Sequence, residues 1–132
     1  MSNASIHGSC GCRRVRFEAQ FPSRFVSHCH CENCRRAHGA AFVTFAGFLA
    51  EQVTVTTGSE LLRRFLTEKN STRTFCTNCG STIFYEGPDY PGEIHAAVGN
   101  LEGELDRAPS NHAFSVEAPD WCPITDDLPR TS

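Results

Sequence analysis

The sequence predicts a mainly β domain, and three observations carry that prediction. Apolar and polar residues alternate with a period of two in several short segments. Only one short segment has the look of a helix, and Gly and Pro interrupt the chain too often for long helices. At 132 residues the chain has the length of one domain with a single core of moderate size.

Taken in order, residues 13–21 (RRVRFEAQF) set Val15, Phe17 and Ala19 against Arg14, Arg16 and Glu18, the pattern of a half-buried strand. A second strand begins at 25–30 (FVSHCH), and 41–48 (AFVTFAGF) is rich in the aromatic and β-branched residues that strands favour. Residues 32–39 (ENCRRAHG) supply the one helix, about two turns long, with Gly39 as its C-terminal stop. Residues 52–58 (QVTVTTG) alternate and end on Gly58, and 60–66 (ELLRRFL) read as a strand or a short helix. The segments 71–75 and 81–87 flank Cys76 and Cys79, which places that pair at the tip of a hairpin, as in a zinc knuckle. The segments 93–101 and 111–117 supply the last strands. Prolines crowd the final third, so loops and a loose tail over 123–132 are expected beyond a domain spanning 5–122.

Net charge is −3 with a pI near 6.0, so no broad basic surface for nucleic acid is implied; the Arg13–Arg14, Arg35–Arg36 and Arg63–Arg64 pairs read as solvated. The N-terminus lacks a positive segment followed by an apolar one, which argues against a signal peptide. The most apolar window, 40–50, falls well short of the ~20 residues a membrane helix requires. The expectation is a soluble, cytoplasmic protein.

Eight cysteines, at 10, 12, 29, 31, 34, 76, 79 and 122, are the main chemical fact. In a reducing compartment they would not pair as disulfides. Their spacing also points elsewhere: C-x-C, C-x-C-x-x-C and C-x-x-C each aim several sulfurs at one spot, as metal ligation requires. Cys10, Cys12, Cys76 and Cys79 make the four thiolates of a closed tetrahedral zinc, which would staple the N-terminal strand to the central hairpin. Cys29, Cys31 and Cys34 offer only three. Either a fourth ligand comes from His28, His30, His38, His95, His112 or Cys122, or a position stays open for chemistry. His30 lies between two ligand cysteines on an extended segment, so its side chain should point away from theirs. Cys122 reads as a buried or idle thiol.

The residues GSCGC at 8–12, CHCENC at 29–34 and FCTNCGSTIFY at 75–85 resemble the three signatures of the glutathione-dependent formaldehyde-activating family, also called the GFA or centromere-protein-V domain. APDW at 118–121 is similar to that family's closing element, and the resemblance runs over residues 5–121. It implies a β-tent-like fold of several antiparallel sheets around zinc. It also implies that Cys10, Cys12, Cys76 and Cys79 hold a structural zinc while Cys29, Cys31 and Cys34 hold a catalytic one. The open position would then take a thiol such as glutathione, which adds to formaldehyde or a related aldehyde, or the reverse, as a carbon–sulfur lyase. His30 and His112 are candidates to pass a proton to the developing alkoxide, with Asn100 and Trp121 as candidate pocket walls and core packing as the alternative for Trp121. The competing reading is a non-catalytic zinc module with a structural or interaction role.

Overall fold

The computed structural model describes residues 4–132. Eleven strands form two sheets: β1 (Ser5–Ser9), β2 (Arg16–Gln20), β3 (Phe25–Cys29), β4 (Val43–Leu49), β5 (Val53–Thr57), β6 (Leu62–Leu66), β7 (Thr72–Cys76), β8 (Thr82–Glu86), β9 (Glu93–Ala97), β10 (Leu101–Glu102) and β11 (His112–Ala113). One sheet has the order β10-β1-β2-β5 and the other β11-β3-β4-β9-β8-β7-β6. The named pairings are antiparallel except for β11 beside β3, where His112 faces His28 in parallel register. A mainly β fold of several sheets with one helix is what the sequence predicts.

The core lies between the sheets. Ile6, Phe17 and Ala19 of the smaller sheet pack on Val26, Ala46, Phe48, Phe84 and Ala96 of the larger one. Phe17 meets Phe84 edge to face at 4.8 Å between ring centroids. Burying a ring of this kind contributes on the order of 2–3 kcal/mol. Because strand side chains alternate, the larger sheet turns these residues inward and presents Phe25, Ser27, Phe45, Tyr85 and His95 on its other face.

Helix α1 (Glu32–His38) follows β3 directly. Cys31 caps it, its Sγ accepting from the Cys34 amide at 3.2 Å, and Gly39 ends it in the left-handed region at φ 61°. Residues 60–66, left open between helix and strand, form a 3₁₀ turn at Ser59–Leu61 followed by β6.

Two expectations change, and one strand escapes the sequence pattern. β1 carries no clear alternation because Gly8 sits opposite Phe17, where a Cβ would lie 2.2 Å from the ring. The segment 111–117 is strand only at His112–Ala113; Phe114 turns into the left-handed region at φ 53° and a 3₁₀ turn follows. The tail is not loose. The Thr131 amide donates to the His112 carbonyl at 2.9 Å, the His112 amide donates to Pro129, and Asp126 accepts from His112 Nε2 at 2.8 Å.

Candidate metal centres

Seven of the eight cysteines gather into two clusters, in each of which every sulfur lies within 4.8 Å of every other. Cys10 and Cys12 sit in the β1–β2 turn, Cys76 ends β7 and Cys79 sits in the β7–β8 turn, so this cluster joins the two sheets at one end. The Cys10 and Cys12 sulfurs are 3.5 Å apart and those of Cys12 and Cys76 are 3.9 Å apart. A tetrahedral ion with Zn–S bonds of ~2.3 Å sets its sulfurs ~3.8 Å from one another, so the donor set fits a metal. The spacing is far too long for disulfides, and all eight cysteines are free. The Val15 amide approaches Cys10 Sγ at 3.4 Å, the kind of backbone contact that supports a thiolate. Burial pushes Cys76 up to about 11, while the Ser81 hydroxyl and amide pull Cys79 down to about 5.

The second cluster is Cys29, Cys31 and Cys34. Cys29 ends β3, Cys31 caps α1 and Cys34 lies in its first turn, so one strand-to-helix corner delivers all three. Cys29 and Cys34 are 3.5 Å apart through sulfur. Hydrogen bonds from Cys29 and Cys34 draw the Cys31 thiol far down, and the reciprocal bonds push Cys29 up. Among the described residues no histidine or carboxylate joins these three as a fourth donor. The donor set fits a metal with one position free of protein.

Beside this cluster is a cavity of about 300 Å³, lined by the three cysteines and by Phe25, Phe45, Arg73, Tyr85, Tyr90, His95 and Phe114, among others. A row of cross-strand neighbours builds its wall: Arg73 opposes Tyr85, Tyr85 opposes His95, His95 opposes Gly47, and Gly47 opposes Phe25. Gly47 is required there, because a Cβ would come within 2.1 Å of the Phe25 ring. Burial keeps the Tyr85 phenol protonated above the ordinary range and holds His95 below its own, although Glu93 at 2.9 Å partly counters the latter.

His30 and His112 are brought together, but not in the cavity. His30 Nε2 and His112 Nδ1 share a proton-bearing contact at 2.8 Å, and Asp126 accepts at the far nitrogen of His112. Strand alternation turns them to the opposite face from Cys29 and Cys31. Asn100 does not line the cavity either; it donates to the Thr82 carbonyl at 3.0 Å. Trp121, expected against the pocket or core, is 72% exposed. Cys122 stands apart from both clusters. Arg73, Tyr85 and Tyr90 escaped sequence reasoning and His95 entered it only as a possible fourth ligand, since strand register assembles Arg73, Tyr85 and His95 into one wall and Tyr90 joins them from the β8–β9 loop.

The family model described as glutathione-dependent formaldehyde-activating enzyme matches residues 5–117. The chain belongs to the GFA family. A Halomonas elongata protein whose name marks it as a candidate glutathione-dependent formaldehyde-activating enzyme is 26% identical over 126 residues, covering 90% of this chain and 80% of its own. An uncharacterized lyase of Schizosaccharomyces pombe is 28% identical over 78 residues, or 59% of this chain and 55% of its own. The solved structure of a Rhodobacter sphaeroides protein superposes with a TM-score of 0.66 at 24% identity, covering 95% of this chain and 99% of that one. That likeness supports the β fold. Among the described residues no helix is long and apolar enough to cross a membrane.

Proposed function

We propose that the chain holds two zinc ions, a structural one at Cys10, Cys12, Cys76 and Cys79 and a catalytic one at Cys29, Cys31 and Cys34. The reaction is formation or cleavage of a carbon–sulfur bond between a small thiol, such as glutathione, and formaldehyde or a related aldehyde. One observation carries this reading: three convergent sulfurs lack a fourth protein donor among the described residues and border a cavity large enough for a small substrate. A zinc ion bound there supplies a fourth position that favours a substrate sulfur in its thiolate form.

The chain's own residues do the rest. Phe25, Phe45 and Tyr90 shield the reacting atoms from water and orient the substrate. In the synthetic direction the sulfur–carbon bond forms, the carbonyl π bond opens, and the proton lost by the thiol ends on the new hydroxyl. Tyr85, kept protonated by burial, can donate a hydrogen bond to the oxygen as its charge develops. His95, kept neutral by burial, can accept the thiol proton and return it. Both stand on the cavity wall, so the relay assigned to His30 and His112 from sequence passes to them, while the His30–His112–Asp126 chain braces the Cys29–Cys31 segment from behind.

The test is exchange spectroscopy of thiol–formaldehyde adducts with the zinc-loaded protein, compared with the spontaneous reaction. Exchange should exceed the uncatalysed rate with the native protein and return to it with Cys31→Ser. Equal rates with and without native protein across a panel of small thiols and aldehydes refute the enzyme reading and leave the zinc module.

A further inference from the structure

Arg73, the second residue of β7, is only 8% exposed, yet among the described residues no carboxylate lies within ion-pair reach of it. Burial of an unpaired guanidinium is strongly unfavourable. Its immediate surroundings are the Tyr85 ring, 4.9 Å from Cζ, and the Cys34 sulfur, which accepts from Nη2 at 3.5 Å. Nη1 is buried with no acceptor at all. A ring face offers modest compensation for a charge. The group that can supply a full opposite charge is the cysteine cluster.

The proposed site has a charge problem that this cation answers. A divalent ion with three thiolates carries −1, and a fourth, anionic sulfur would bring the centre to −2 in a partly buried cavity. We infer that Arg73 is the counter-ion of the three-cysteine centre, donating to the Cys34 sulfur and making the open position tolerant of an anionic sulfur ligand. The inference rests on the zinc reading of that site and adds a selectivity: the centre is built to take thiolates in preference to neutral donors. A guanidinium whose only role is packing between β6 and β8 would confer no such preference.

Cobalt-loaded protein reads this directly, because its thiolate charge-transfer band reports each bound sulfur. The ligands are 2-mercaptoethanol, which binds as an anion, and imidazole, which binds neutral. The variants are Arg73→Gln and Arg73→Met, both neutral, and Arg73→Lys, which keeps the charge. Retention of the four-cysteine cobalt spectrum shows that each variant is folded.

The neutral variants should bind 2-mercaptoethanol on the order of 10–100-fold more weakly, the range typical of lost outer contacts to a metal centre. Their imidazole affinity should hardly change, and Arg73→Lys should recover most of the thiol affinity. Thiol binding unaffected in the neutral variants overturns the counter-ion, as does a parallel fall for both ligands. A native protein that takes imidazole but no thiol overturns the proposed function as well, so the two failures are distinguishable.

Discussion

Replacing one cysteine in each cluster should separate a metal that holds the fold from one that does not. In the four-cysteine cluster, Cys12 and Cys76 are 64 positions apart, whereas Cys29 and Cys34 are separated by 5. Closing a flexible loop costs (3/2)RT ln n, so releasing the longer closure forfeits about 2 kcal/mol more than releasing the shorter one. Unfolding of a chain this size shifts by about 4 °C per kcal/mol, which makes the difference roughly 8 °C. Location enlarges the gap: Cys76 is fully buried in the core and its cluster ties two sheets, while the other cluster joins a strand to the helix beside it. The assay is thermal unfolding followed by circular dichroism at fixed free zinc, for native protein, Cys76→Ser and Cys31→Ser. Cys76→Ser should melt at least that much below Cys31→Ser, with metal analysis showing loss of one ion in each. Equal losses of midpoint in the two variants refute the division into structural and open sites.

Gly47→Ala would push a Cβ into the Phe25 ring and displace that ring within the cavity wall. Overpacking of this kind costs about 1–3 kcal/mol, measurable by urea unfolding, and a variant as stable as the native protein would mean that Phe25 moves freely. Stability should also fall in mild acid. Buried His95 keeps a depressed pKa when folded, so below about 6.5 the unfolded chain binds a proton that the folded chain refuses. The loss therefore begins near pH 6.5 and deepens until the folded pKa is passed, at a slope of at most about 1.4 kcal/mol per pH unit. His95→Gln should flatten the fall of the urea midpoint between pH 7 and 5.5; an unchanged slope would assign it to other groups.

The legibility of this fold in its sequence tracks how local the cause of each element is. β2 shows because Phe17 and Ala19 are inward-facing on a sheet whose other face meets solvent. α1 shows because Gly39 can take the left-handed turn that ends it. β1 is hidden because its Gly8 is dictated by a ring on the neighbouring strand, not by anything within the segment itself. The end of β11 is hidden for a related reason: Phe114 adopts a conformation that its side chain disfavours. Proline-rich composition suggested a loose tail, yet its docking depends on backbone bonds to His112 and on Asp126, none of which a local pattern can announce.

The candidate site divides in the same way. Its cysteines are readable because short spacings force sulfurs together: a strand end and a helix cap are enough to bring Cys29, Cys31 and Cys34 to one point. The cavity wall is not readable, because Arg73, Tyr85, His95 and Phe25 come from four different strands and meet only through register. His30 shows what happens when proximity in sequence is taken for proximity in function. It lies between two cysteines of the cluster, and that position is what turns it away from them, since alternate residues of an extended segment face opposite sides. Strand geometry thus hands sulfur to the cavity side and imidazole to the tail side. Any role His30 has in the chemistry must act through the placement of its neighbours, with Asp126 and His112 fixing the ring from behind.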